Sequence, residues 1–129
     1  MYRRYRNNSP NKYKNTKITV NGILFDSKRE AARYCELLIL EQAGKITELR
    51  RQVKYTLIPA QYEPDTIGPR GGRIKGKLIE REAAYYADFV YLDETDQTVV
   101  EDTKGMRTPD YVLKRKMMLY IFGIRVREI

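Results

Sequence analysis

Apolar and polar residues alternate along Lys17-Ile-Thr-Val20, and the apolar run Ile23-Leu-Phe25 follows across Asn21-Gly22. That pattern predicts a β-hairpin, because Asn-Gly readily takes the positive φ angles of a tight type I′ turn. The period then changes. Ser27 reads as an N-cap; Ala31, Ala32, Cys35, Leu38, Ile39 and Gln42 follow at helical spacing, and Gly44 ends the run. A strand is expected from Gln52 to Ile58, bounded by Pro59. Residues 61–77 are rich in Pro and Gly and carry Arg70, Arg73, Lys75 and Lys77, which predicts a mobile basic loop. Two strands, about 79–92 and 98–104, are joined by the acidic turn Asp93-Glu94-Thr95-Asp96-Gln97. Thr108-Pro109-Asp110 supplies a cap, a Pro at the first helical position and an acid in the first turn, opening a helix that runs to about Phe122 and closes at Gly123. A short strand, Ile124 to Ile129, ends the chain with Arg125 and Arg127 on one face. The fold class is α/β, ordered helix, three strands, helix, strand, with an extra hairpin in front and no internal repeat.

At 129 residues, 42% of them apolar, the chain has the size and the material for one core. Its 25 Lys and Arg against 17 Asp and Glu favour a polyanionic partner, of which nucleic acid is the commonest. The charge is unevenly placed. Residues 1–17 hold Arg3, Arg4, Arg6, Lys12, Lys14 and Lys17 and no acid, contributing +6 of the net +8, so the body that follows is close to neutral. We expect residues 1–16 to form a disordered basic arm. Tyr2, Tyr5 and Tyr13 within it could stack on bases, or the arm could be a solubilising tail. No apolar run reaches the roughly 18 residues needed to span a bilayer, and no apolar signal core follows the first arginines, so a cytoplasmic protein with no membrane partner is expected. Cys35, the single cysteine, reads as a small core residue of the first helix.

Histidine is absent, which excludes nucleases that rely on it as base or metal ligand, and one cysteine cannot complete a zinc cluster. Any metal chemistry must use oxygen ligands, pointing to a hard cation, Mg²⁺ beside phosphates, for which Mn²⁺ could substitute. The strand pair supplies such ligands. If the acidic turn is symmetric about Thr95, Leu92 faces Thr98 and Asp88 faces Asp102, with Cβ atoms roughly 4.5 to 5.5 Å apart. Two carboxylates so placed repel each other unless a cation lies between them. Lys104, two residues beyond Asp102, shares their face by the period of a strand. A slip of one residue would put Glu101 in place of Asp102. For phosphodiester cleavage the trio has a logic: the metal lowers the pKa of a bound water, and Lys104 orients that water or stabilises charge on the phosphorane. The backbone carbonyl of Thr103 is a further candidate ligand.

Three segments carry a family resemblance: Phe25-Asp-Ser-Lys-Arg-Glu30-Ala, Tyr86-Ala-Asp88-Phe and Val100-Glu-Asp-Thr-Lys104-Gly. Together they resemble the PD-(D/E)XK nuclease superfamily, and more narrowly small phage and prophage Holliday-junction resolvase-like endonucleases. The superfamily's Pro is Ala87 here. The resemblance implies a restriction-endonuclease-like core, a single nuclease domain over 17–129 with a central mixed sheet flanked by helices, and Mg²⁺-dependent DNA cleavage. It implies Asp88 and Asp102 as metal ligands, Lys104 as catalytic lysine and Glu30 as a helix carboxylate aiding the metal. A homodimer is expected by the same analogy, since paired nicks in branched DNA require two sites. Read without the family, Ser27-Lys-Arg-Glu30 is equally a capping box, with Glu30 returning a hydrogen bond to the cap.

Other residues carry less. Arg70, Arg73, Lys75 and Lys77, with Arg3, Arg4, Arg6, Lys12, Lys14 and Lys114, are candidate contacts to DNA. Gly68-Pro-Arg-Gly-Gly-Arg73 lacks the Gly-Lys-Ser/Thr ending of a P-loop. Gln52 is a candidate to face the site, whereas Tyr85-Tyr86 and Met117-Met118 read as core. Two alternatives stand beside the nuclease: a ribonuclease H-like enzyme, which needs three or four acids and no lysine, and a non-catalytic nucleic-acid-binding module. Against the latter, the hairpin from Asp88 to Asp102 holds six acids and no base, a poor surface for phosphate without a cation.

Overall fold

The computed structural model describes residues 17–104 and 106–129, so the candidate DNA contacts Arg3, Arg4, Arg6, Lys12 and Lys14 lie outside the described residues. β1 (Ile18–Val20) and β2 (Ile23–Phe25) form the expected hairpin, with Asn21 and Gly22 at φ 50° and 75° as a type I′ turn requires. α1 (Lys28–Gln42) follows, its first turn capped by the Ser27 hydroxyl, which accepts from the Glu30 amide at 3.1 Å. The chain leaves the helix through Gly44 at φ +74°.

α1 is rotated relative to its predicted face. Glu30, Ala31 and Leu37 are buried, whereas Ala32 and Cys35 are exposed and Ile39 is 66% exposed. The apolar residues of this helix form two overlapping stripes, and aromatic packing selects one: Tyr34 lies 5.1 Å from Phe25 and stacks on Phe89 at 6.2 Å. Cys35 is therefore a surface residue, not a core one. The rotation that seats Tyr34 and Leu37 also turns Glu30 and Arg33 inward, since residues three, four and seven apart share a helix face.

β3 (Thr47–Ile58) begins well before Gln52, through the polar stretch Thr47-Glu-Leu-Arg-Arg, because its partner strand continues to offer ladder bonds as far as Leu92. Residues 61–77, expected as a loop, hold short strands, and the strand expected from about 79 begins as a separate piece. These pieces form a ribbon of β4 (Gln61–Tyr62) on β7 (Leu78–Glu80) and β5 (Thr66–Ile67) on β6 (Arg73–Ile74), both antiparallel. The Gly and Pro residues mark the turns and close approaches of that ribbon. β8 (Ala83–Leu92) and β9 (Thr98–Asp102) pair in the predicted register, Leu92 opposite Thr98 and Phe89 opposite Glu101. α2 (Pro109–Phe122) is capped by Thr108 and ends at Gly123 in the left-handed region. β10 is only Arg127–Glu128.

The central sheet is mixed, in the order β10-β9-β8-β3, with β10 parallel to β9 and the other pairs antiparallel. One core joins it to α2 through Tyr85, Ala87, Val90, Val100, Tyr111 and Met118. A second joins it to α1 and the hairpin through Phe25, Ala31, Leu37, Phe89 and Tyr91. Met118 is buried and Met117 packs against it, as a core reading requires, but Tyr86 is 54% exposed. No described helix is long and apolar enough to cross a membrane.

Candidate active site

Asp88 sits on β8 between Ala87, in the α2 core, and Phe89, in the α1 core, where β9 stops pairing. The ladder that ends at Phe89 and Glu101 leads directly to Asp88 and Asp102 on facing strands. The two carboxylates are held unequally: both oxygens of Asp88 have donors, whereas Asp102 has a donor at Oδ2 alone. Asp88 Oδ2 accepts from the Thr103 amide and from its hydroxyl, both at 2.8 Å, and Asp102 Oδ2 accepts from the Tyr85 hydroxyl at 2.6 Å. Thr103 thus touches Asp88 through its donors.

Asp102 is fully buried, yet its Oδ1 has no hydrogen-bond donor. Lys104 Nζ stands 3.2 Å from that oxygen as an ion pair but out of line for a hydrogen bond. The same ammonium lies 4.8 Å over the Tyr111 ring, a cation–π contact that fixes its approach. The Asp102 carboxyl is pushed up to about 6, by burial first and by the adjacent Asp88, against the opposing pull of the Tyr85 hydroxyl and Lys104. Burial likewise raises the Tyr85 hydroxyl, and the carboxylate it serves adds to the effect, so it is a permanent donor.

Glu30 is 5% exposed. Its backbone serves the helix cap while its carboxylate faces the sheet, 3.4 Å from Gln52 Nε2 and 3.9 Å from Arg51. The capping box expected from Ser27-Lys-Arg-Glu30 is therefore half made: Ser27 accepts from the Glu30 amide, but the Glu30 carboxylate turns away from the cap toward Gln52 and Arg51. Burial first, then Asp88, raises its pKa, with Arg51 opposing. Gln52 donates to both Glu30 and Asp88, the latter at 3.2 Å, and so ties α1 to β8. It does this from φ +49° in mid-strand, a left-handed conformation costing of order 1 kcal/mol that is commonest at functional sites.

Glu101, the competitor of Asp102, takes no part. It is bound by Arg33 through Nε at 2.9 Å and Nη2 at 2.6 Å and by the Tyr91 hydroxyl at 2.6 Å. Lys114 Nζ is 3.7 Å from Asp110, one helical turn away.

Sequence reasoning missed Tyr85 and Arg51. A tyrosine three residues before Asp88 looks like core, and only the pairing of strands shows its hydroxyl aimed at Asp102. Arg51 stacks 4.4 Å over the Phe25 ring to reach Glu30, a contact made by elements far apart in the chain.

Among the described residues, no three His, Cys, Asp or Glu side chains are gathered into a ready-made metal cage. Mg²⁺ does not demand one, since it is commonly held by one or two carboxylates with water and substrate phosphate completing the shell. Asp88 and Asp102 fit that requirement: all-oxygen donors, one with a buried oxygen that lacks a donor. Thr103 and Glu30 are adjacent. Residues 10–128 match the family described as "Protein of unknown function (DUF1064)". No curated protein and no solved structure matches the chain.

Proposed function

We propose that this chain, which belongs to the DUF1064 family, is a Mg²⁺-dependent DNA endonuclease with a restriction-endonuclease-like core. The observation that carries the reading is Asp102 Oδ1, a buried carboxylate oxygen without a donor, next to Asp88 and Lys104, with Glu30 tied to Asp88 through Gln52. Burying such an oxygen costs stability. A divalent cation on Asp88 and Asp102 would offset that cost and, when bound, would activate water and neutralise phosphate. Supporting the superfamily resemblance are the order of α1, β3, β8, β9, α2 and β10 and the placing of Asp88 and Asp102 on adjacent strands, with Thr103 and Lys104 just past the end of β9.

Each protein group then has a task. Thr103 and Tyr85 orient Asp88 and Asp102 through their Oδ2 atoms, and these two carboxylates would hold the cation, Asp102 with its donor-free Oδ1. Gln52 and Arg51 hold Glu30 beside them. Lys104, about a third exposed, can reach both Asp102 and an incoming phosphate or water. Branched DNA such as a Holliday junction is the substrate this reading favours, with two copies of the chain supplying the two nicks.

The test is cleavage of a labelled panel of junction, flap, duplex and single-stranded DNA by the wild type and by Asp102→Asn, with Mg²⁺ or EDTA. Cleavage is expected only for the wild type with Mg²⁺. Equal cleavage by the variant, or cleavage in EDTA, overturns the reading. Full activity in Lys104→Ala would favour a ribonuclease H-like mechanism instead.

A further inference from the structure

The ribbon between β3 and β8 has no place in the site above and cannot be explained as packing. Every residue of β4, β5, β6 and β7 is exposed, and each short strand pairs only with its ribbon partner. A two-stranded hairpin exposed on both faces is marginal in water by itself. This one is nonetheless built in detail. Asp65 accepts from the Gly76 amide at 2.8 Å and pairs with Arg73, and the Glu63 amide donates to Lys77 O at 2.7 Å, linking the two ladders. A side chain at Gly76 would collide with Glu63 O, 1.7 Å from where its Cβ would stand, so only glycine permits the crossing. Gly71, at φ +79°, makes the tip.

From Thr66 to Ile79 the ribbon carries Arg70, Arg73, Lys75 and Lys77 and no acid. Arg73 is spent on Asp65, and Lys75 lies 4.6 Å over the Tyr62 ring. Its exposed apolar residues are divided between faces: Ile67 stands opposite Arg73 and Ile74 opposite Thr66, which puts these two isoleucines on opposite sides, and in the other ladder Tyr62 pairs with Leu78 while Ile79, the next residue of β7, takes the other face. A protein-binding surface would gather them into one patch. A twisted basic ribbon with isolated apolar side chains has the width and charge to enter a DNA groove, since the major groove of about 12 Å admits a two-stranded ribbon. The ribbon is also continuous with the site: Ala83, the first residue of β8, is five residues from Asp88, roughly 17 Å along an extended strand.

We infer that residues 61–80 are a DNA arm that enters a groove of the duplex next to the candidate metal site, with Arg70, Lys75 and Lys77 on phosphates. The inference rests on the nucleic-acid reading above but not on cleavage, and its test is therefore made in EDTA. Binding of a fluorescent 30-base-pair duplex is measured over a salt series for the wild type, for Arg70→Ala/Lys75→Ala/Lys77→Ala, and for Lys17→Ala/Lys45→Ala/Arg125→Ala, which removes equal charge elsewhere. Circular dichroism checks that both variants fold. The arm variant should bind at least about tenfold more weakly, with a salt slope shallower by about two to three, one unit for each lost phosphate contact. The control should change less than the arm variant on both measures. Equal effects in the two variants overturn the arm while leaving the metal site to its own cleavage test. A wild type that fails to bind duplex at low salt overturns it as well.

Discussion

Strand β9 ends in two consecutive carboxylates, Glu101 and Asp102, both fully buried, and their surroundings could hardly differ more. Glu101 has a bidentate arginine and a tyrosine hydroxyl, so its charge is balanced and its oxygens are satisfied. Asp102 has one tyrosine, a lysine out of line and a second carboxylate beside it. Burial is equal, so burial does not separate them; satisfaction does. A paired buried charge is part of the scaffold, whereas an unsatisfied one that lowers stability persists where chemistry needs it.

The largest expected break in that contrast is in activity. Asp102→Asn should reduce Mg²⁺-dependent cleavage by about 10³-fold or more, equivalent to about 4 kcal/mol of barrier, in single-turnover assays. Next comes stability on the other face. Glu101→Ala leaves the half-buried Arg33 with only the exposed Glu36 and strips the Tyr91 hydroxyl of its acceptor, and should cost about 3 kcal/mol in urea denaturation.

Asp102→Asn should act on stability in the opposite direction. The folded-state carboxyl is raised from its ordinary value of 3.8 to about 6, so the folded protein holds a proton that the unfolded chain releases. Wild-type stability contributed by this group therefore falls as pH rises from about 4 to about 6. Asparagine retains an acceptor for Tyr85 and carries no charge. In EDTA the variant should gain about 1–3 kcal/mol at pH 7 and nothing at pH 3.5, read from melting temperatures at the two values. Mg²⁺ should raise the melting temperature of the wild type and leave that of the variant unchanged.

The smallest effect sharpens the role of the orienting groups. Tyr85→Phe leaves Asp102 Oδ2 without its donor and should weaken Mg²⁺ binding about tenfold, as loss of a ligand's supporting hydrogen bond commonly does. Calorimetric titration of the metal would show it; an unchanged affinity would make Tyr85 a core residue only.

Local chemistry made much of this protein legible in its sequence. Asn21-Gly22, Ser27, Thr108-Pro109 and Gly123 each demand a backbone conformation within a few residues, and the hairpin, both helix starts and the second helix end follow from them. The register of β8 and β9, from Leu92 opposite Thr98 to Phe89 opposite Glu101, was legible for the same reason, because a turn symmetric about Thr95 sets it. What the sequence left undecided are the choices between locally equivalent arrangements. α1 offers two apolar stripes, and only its packing against Phe25 and Phe89 turns Glu30 inward and Cys35 out. Tyr85 and Arg51 look ordinary along the chain and meet Asp102 and Glu30 only across elements. Gly and Pro between 59 and 82 signalled turns, but ladder pairing and Asp65 decided that those turns would build a ribbon. Turns and caps are decided within one or two helical turns of chain, whereas helix rotation and side-chain partners are decided by whichever surfaces meet when the elements pack.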